Sequence, residues 1–573
     1  MEYKTLAKTY EEAESTTKRL EKTRIISDFL KKLDKEESDT LYLLLGDIYP
    51  QYDERKIGIS EKLAVKAIAK ASGNTEKEVE KKWKEIGDLG EVTEKLAKKK
   101  KQSMLTESHR LNLKTVIEKL RKLPEMEGSG MIDKKISLIT ELLSDAAPLE
   151  AKYLIRTLIG DLRIGIQEST VRDGLAEAFF PEEEKAGEAI QSAIDKSNDL
   201  GKVFETCKTQ NALANLKKIS LEVGKPTKVM LAQKAPSIES AFETVGKPAV
   251  IEYKYDGFRL LIHKKKDKVW LFTRRLENVT KQFPEVVQYI QNYIDAETAV
   301  LDCEAVGYNK ETKKYTPFQE ISQRIKRKYN IEKLSEELPV EVNVFDILYA
   351  DGDSLLEEPF SERSKKLRDI VKTKKNKIKP SKQTITEDTK KAKEFYKEAL
   401  KDNQEGIIIK NQNAKYQPGS RVGHMLKLKP EEKDMDLVIT GAEYGTGKRS
   451  GWLSSFILSC YDENSGEFPQ IGKVATGVKE KDDSSASGPS LNELTDKLKP
   501  LITKESGREA EIKPKVVVAV TYQEIQKSPT YSSGWALRFP RITAIREDKP
   551  VEEIADLEEV EQEHKRQEGD FNK

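Results

Sequence analysis

Residues 252–259 read Glu252-Tyr253-Lys254-Tyr255-Asp256-Gly257-Phe258-Arg259. Apolar and β-branched residues stand on both sides. The stretch therefore reads as a lysine closing one strand, an Asp-Gly turn, and an arginine opening the next. Taken alone, a lysine in such a turn is as often a solvated hairpin tip as a reactive group. Its setting is a longer series of alternating and β-branched runs that begins near Pro226: AVIEYKYD, FRLLIH, KVWLFTR, AVLDCEAVGY, VEVNVFDILYA and EGIIIK. Asp-Gly, Gly or lysine-rich turns separate these runs, which predicts an α+β domain with substantial antiparallel sheet over residues 219–430.

The chain on either side has another texture. Residues 1–218 space their apolar side chains three and four apart, the pattern of an all-α module. One helix should run from Pro148, favourable in a first turn, through Leu154, Ile155 and Leu158 to a stop at Gly160. The next should begin at Ser169 as its N-cap. The loop between them places Arg163 beside a helix start, where free N–H groups favour a phosphate; a solvated loop is the even alternative. From about Asp436 the short strands DLVITGAEYG, SSFILSCYD, KVATGV and VVVAVTYQEI predict a small β-barrel over 431–550. Residues 479–490 read as a mobile loop, and 551–573 as a short acidic helix fraying into a tail.

Composition bounds the function less than it bounds the architecture. A length of 573 residues predicts roughly three or four domains. With 37% hydrophobic and 35% charged residues the chain is lean but globular, and no window approaches the run of about 18 apolar residues that a membrane span needs. The amino terminus mixes acids and bases with no apolar signal core, so a cytoplasmic protein without membrane contact is expected. The net charge of +2 hides 101 basic residues against 99 acidic ones and says little about partners. Cys207, Cys303 and Cys460 lie far apart, as do the four histidines, so neither a zinc site nor a disulfide framework is expected.

Downstream of Lys254 stand five further strings: Phe272-Thr273-Arg274-Arg275; Asp302-Cys303-Glu304; Val344-Phe345-Asp346-Ile347; Glu405-Gly406-Ile407-Ile408-Ile409-Lys410; and Lys427-Leu428-Lys429. In this order they resemble the covalent nucleotidyltransferase superfamily of DNA ligases, RNA ligases and mRNA capping enzymes. The resemblance extends to both flanks. MEGSGMIDKK and EAKYLIRTLIGDLRIGIQESTVRDGLAEAF are similar to the DNA-binding domain of archaeal and eukaryotic DNA ligases. GAEYGTGKRSGWLSSFILSCYDENSGEF and SGWALRFPRITAIREDKP look like the ligases' oligonucleotide-binding (OB) fold. The chain thus resembles an archaeal-type ATP-dependent DNA ligase over nearly its whole length.

That resemblance implies an all-α DNA-binding domain, an α+β adenylation domain and an OB-fold β-barrel, with ATP and Mg²⁺ as cofactors and nicked duplex DNA as partner. It makes Lys254 the nucleophile that takes AMP from ATP. An unperturbed lysine amine, with a pKa of about 10.4, needs cationic neighbours or a metal to act at neutral pH. Arg259, Lys427 and Lys429 would supply that field and hold phosphate oxygens. Asp302 and Glu304 alternate along one strand and so share a face; with Glu405 from another strand they make a sensible oxygen cage for Mg²⁺, although Glu304 could bond the ribose instead. Phe345 would stack on adenine, Glu252 would read the adenine edge, and Arg274 and Arg421 would hold phosphate or the nick. The last motif carries Arg538, Arg541, Arg546, Asp548 and Lys549. One position departs from the family: Met425 stands where a Trp usually precedes the Leu-Lys-x-Lys run.

Rival readings are weighed against the same residues. The turn Gly445-Thr446-Gly447-Lys448-Arg449-Ser450 lacks the P-loop's first glycine and its hydroxyl residue, and suits a DNA-backbone contact better. An NAD-dependent ligase would need a four-cysteine zinc module that three scattered cysteines cannot build. An RNA ligase or capping enzyme shares the Lys254 motif but not the helical front, and a silent DNA-binding scaffold would not need the intact lysines and acids. The segment Lys98–Leu105 could hold a sliding clamp through Gln102, Met104 and Leu105, or be a solvated lysine run on DNA phosphates. A monomer is expected.

Overall fold

A computed structural model describes residues 1–103, 111–126, 128, 130–312, 314–316, 318, 321, 324–325, 329–430, 433–446, 449, 451–480 and 488–570. It divides into two compact units, Met1–Lys393 with Ile407–Leu428, and Glu394–Gly406 with Lys429–Lys573. Met104, Leu105, the side chain of Gln102 and most of the loop 479–490 lie outside the described residues.

The front of the first unit is helical, around one apolar core that runs from Tyr3 to Ile219. The helix Pro148–Leu158 begins on its proline, and Glu150 reaches back to accept from the Ala147 N–H at 2.6 Å. Ser169 is not a cap. The following helix, Glu168–Phe179, starts after Gln167, whose carbonyl accepts from the N–H groups of Thr170 and Val171. Arg163, in the loop between, is turned back onto its own module: its guanidinium stands 2.6 Å from Asp161 and 3.1 Å from Asp88.

Eleven strands follow in the first unit: β1 (Leu231–Lys234), β2 (Ala249–Lys254), β3 (Phe258–Lys265), β4 (Lys268–Thr273), β5 (Thr298–Gly307), β6 (Val340–Ala350), β7 (Asp353–Ser354), β8 (Ile378–Pro380), β9 (Gln383–Thr386), β10 (Gly406–Asn411) and β11 (Arg421–Leu428). They form two sheets, ordered β1-β11-β10-β2-β9 and β4-β3-β5-β6-β7, with β8 beside β6. Period-two alternation explains the packing. Leu260 and Ile262 of β3 face a core built on the helix Pro284–Tyr293. Leu261 faces the opposite way, into a second core where Phe272, Val300 and Leu348 meet Val422 and Met425 of β11. Met425, in the place of the family's Trp, is buried there and lies opposite Lys410 in the β10–β11 ladder.

The second unit carries β12 (Lys433–Tyr444), β13 (Leu453–Ser459), β14 (Gln470–Val474), β15 (Ile502–Ser506), β16 (Glu509–Ile512), β17 (Val517–Tyr522), β18 (Glu524–Lys527), β19 (Trp535–Arg538) and β20 (Arg541–Ile545). Long β12 is the spine. β13 pairs along one edge, while β17 and β16 share the other, at Lys433–Val438 and Gly441–Glu443. The pairing stays open among the described residues, with free ends at β14, β15 and β20, so the expected closed barrel is not drawn by its ladders. A bond from the Ile542 N–H to the Thr476 carbonyl, 3.1 Å, bridges the gap. The acidic tail also differs from expectation. The helix Leu557–Asp570 is docked through Val560 in the core and His564, whose ring centroid lies 4.5 Å from that of Trp535. Among the described residues no helix is long and apolar enough to cross a membrane.

Candidate nucleotide-transfer site

Gly257 fixes the path of the chain through the site. A Cβ there would stand 2.3 Å from the Ala305 carbonyl oxygen and 3.1 Å from Cγ of Glu304, so only glycine lets the turn press onto β5. The Asp-Gly pair is therefore not a hairpin tip: β2 pairs within the five-stranded sheet and β3 within the six-stranded one. Lys254 is the last residue of β2, half-buried, where the chain leaves one sheet for the other. Glu252, two residues earlier, shares its face of the strand.

Glu252 is buried and paired: Nζ of Lys410, on neighbouring β10, lies 2.6 Å from its Oε2. Burial pushes the Glu252 carboxyl above the usual range, against the pull of Lys410. Lys410 also donates to the Phe345 carbonyl at 3.3 Å. Phe345 is half-buried on β6, with the Arg259 guanidinium 5.3 Å and the Lys410 ammonium 5.2 Å from its ring centroid. An aromatic in that strand would be core by default; this one presents a face.

Arg259 stands directly across from Glu304 in the β3–β5 ladder but reaches diagonally to Asp302. Its Nε and Nη2 donate to the two Asp302 oxygens at 2.8 and 2.6 Å, and Nη1 donates to the Met230 carbonyl at 2.8 Å. Burial alone would lower the Arg259 pKa; Asp302 more than offsets it, and the pKa lies above the ordinary arginine value. The Tyr416 hydroxyl donates to Asp302 at 2.7 Å and accepts from the Met230 N–H at 3.0 Å. Asp302 is thus fully buried with both oxygens engaged. In this arrangement Arg259 and Tyr416 hold both oxygens of Asp302.

Glu304 follows on the same face of β5 and is half-exposed, and Lys427 is half-buried on β11 opposite Ile408. Arg274 is exposed in the turn after β4, and Arg421 is exposed at the start of β11. Among the described residues no three His, Cys, Asp or Glu side chains gather as a cage for a metal. Mg²⁺ does not require one, because it keeps several waters and takes one or two carboxylates plus substrate phosphates; a half-exposed Glu304 fits that need.

In the second unit Glu405 precedes β10 in a loop, not in a strand. It pairs with Lys429, and Arg538 lies 3.5 Å away while bonding Glu524 at 2.9 Å. Arg546 and Lys549 converge on Asp436, at 2.8 and 2.9 Å, and Arg541 is exposed at the start of β20. Sequence reasoning missed Lys410 and Tyr416. Lys410 ends a quoted string, and its signal was a charge closing an all-apolar run; Tyr416 carried none, since its partner Asp302 is over a hundred residues away.

Three family models match the chain in series. They are the DNA ligase N terminus over residues 2–176, the ATP dependent DNA ligase domain over 229–429, and the ATP dependent DNA ligase C terminal region over 449–549. The DNA ligase of Nanoarchaeum equitans is 44% identical, with all of both chains covered. That of Thermococcus fumicolans is 42% identical over 98% of each. The solved Pmar-Lig_Pre chain shares the fold at a TM-score of 0.57 and 18% identity, over 94% of this chain and 99% of that one. By its domain series and by identity sustained from end to end, the chain belongs to the ATP-dependent DNA ligase family.

Proposed function

We propose that this protein seals nicks in duplex DNA with ATP, through an AMP carried on Lys254. The observation that carries the assignment is the setting of that lysine. It ends β2 beside buried Glu252, and the same two sheets bring up Arg259 and the half-buried Phe345. In the first step the Lys254 amine attacks the α-phosphorus of ATP, a P–N bond forms, and pyrophosphate leaves. Next an oxygen of the nick's 5′-phosphate takes the AMP and frees the lysine. The 3′-hydroxyl then displaces AMP, closing the phosphodiester.

Arg259, held by Asp302, Lys427 and Lys429 bind phosphate oxygens; Phe345 stacks on adenine and Glu252 reads its edge. Arg274, Arg421 and Arg163 contact phosphate or the nick. Arg538, Arg541 and Lys549 act on the departing pyrophosphate. Mg²⁺ would be held by carboxylates among Asp302, Glu304 and Glu405 and would supply charge neutralisation at the phosphates. The domain bounds 1–218, 219–430 and 431–550, an OB fold for the last of these, a monomeric cytoplasmic enzyme of replication and repair, and a clamp contact at Gln102, Met104 and Leu105 complete the proposal.

The deciding experiment gives the enzyme α-labelled ATP, looks for an acid-labile protein adenylate, and then offers nicked DNA and nicked RNA in separate tubes. Label transfer and sealing on DNA are expected. Preferential sealing of RNA would select the RNA-ligase reading, and absence of the adenylate would remove the enzyme altogether.

A further inference from the structure

We propose that Lys410 is a positioning residue that sets base specificity: its ammonium holds Glu252 as a hydrogen-bond acceptor, so the pocket takes a purine with a 6-amino group and refuses one with a 6-oxo group. The inference rests on the reading of Lys254 and Glu252 given above.

The geometry is that of a buried pair. Lys410 Nζ and Glu252 Oε2 are 2.6 Å apart with side chains 5% and 3% exposed. Rings flank the ammonium: its nitrogen stands 4.2 Å from the centroid of Phe360 and 5.2 Å from that of Phe345, the proposed stacking face. A buried ion pair is weak support for stability, since an apolar pair of like volume often serves a core as well. Its presence beside a half-buried aromatic, two residues from Lys254, points to the state it imposes on the acid. An ionised carboxylate only accepts hydrogen bonds, whereas a protonated one can also donate. Facing a purine C6 substituent, the acceptor pairs with an amino group and repels a carbonyl oxygen. A carboxylate left in this surrounding without its cation would be pushed further toward its protonated form, because burial disfavours its charged form and Asp346 lies close enough to add repulsion. The acid would then no longer tell adenine from guanine by charge.

The test compares self-nucleotidylation of the full-length enzyme with α-labelled ATP, GTP and purine riboside triphosphate, which has no C6 substituent. Read as ratios of kcat/KM, the wild type should prefer ATP over both. Lys410→Met should lose at least about tenfold of each preference, the usual scale for one buried polar group left unmatched, while Lys410→Arg should retain most of it. In a Glu252→Gln background the Lys410→Met change should move the ratios by less than about twofold, because its target is gone. Equal loss of all three nucleotides with unchanged ratios would overturn the proposal, since a merely structural role lowers them together. Should Lys410→Met fail to fold, Lys410→Gln is judged by the same ratios. Failure of the underlying reading looks different: the wild type itself would then form no covalent adenylate.

Discussion

Two arginines held by acids, Arg156 buried in the helical front and Arg259 half-buried between the sheets, use the same chemistry for different ends. Arg156 is 2% exposed and divides its guanidinium between Glu14, at 2.9 and 3.0 Å, and Asp88, at 2.8 Å. Lys152 and Tyr153 close the cluster on Glu14. Asp88 is shared with Arg163, and Gly90 is small because a Cβ would meet the Arg156 side chain at 2.8 Å. Arg259 is likewise clamped by a buried acid, yet its guanidinium lies over the ring of Phe345, a residue that is only half-buried. A guanidinium clamped by a buried acid is common to both places. What separates a brace from a site is whether the clamped group supports an accessible face.

The largest effect expected on the site side of this comparison is loss of the nucleophile. Lys254→Ala should bring adenylation and the sealing of ordinary nicks below detection, yet still close a nick that is already adenylated, because only the first step needs the amine. Recovery of ATP-dependent sealing by that variant would move the nucleophile elsewhere.

Asp302→Asn breaks the clamp and leaves the ring and the lysine untouched. A half-buried guanidinium without its buried counter-charge should cost up to about 3 kcal/mol of stability, and the displaced Arg259 should lower kcat/KM for ATP on the order of 100-fold. Arg156→Met makes the equivalent cut in the brace. It should cost about 3–5 kcal/mol in denaturant unfolding, while adenylation at 25 °C by the folded enzyme stays at the wild-type rate. If both variants lost adenylation in proportion to stability, the distinction between brace and site would collapse.

How much of this was legible depends on the range of the interaction. The strand VEVNVFDILYA could be read because alternation is local, and the structure places β6 on those residues. Pro148 as a helix start was legible for the same reason. Whether the Asp-Gly turn closes a hairpin stayed open, because the strands that decide it, β9 and β10 beside β2 and β5 beside β3, are distant in sequence. The carboxylates show the same limit. Asp302 and Glu304 look alike on paper, and only the diagonal reach of Arg259 and the hydroxyl of Tyr416 assign the first to a clamp. The docking of the helix Leu557–Asp570 was missed because its stripe of Leu557, Val560 and His564 is thin among acids, and Trp535, which receives it, lies on another strand.

The smallest expected effect tests the brace alone. Burial pushes the Glu14 carboxyl up, but its hydrogen bonds from Arg156, Lys152 and Tyr153 outweigh this and bring it down to about 2, from an ordinary 4.5. A carboxyl whose pKa is depressed by folding contributes stability above its unfolded value and loses it as the pH falls through the folded one. Stability from Glu14 is therefore whole above pH 4.5 and fades toward pH 2. Glu14 keeps some contact with water, so the change should be small, roughly a few degrees in Tm at most. Melting curves of the wild type and Glu14→Gln at steps between pH 6 and pH 2.5 read it directly. The two should differ most at pH 6 and converge in acid, because protonation of the wild type reproduces the neutral side chain. A gap that stays constant with pH would mean that Glu14 acts through shape and neutral hydrogen bonds, and the cluster around Arg156 would then owe its stability to packing and not to charge.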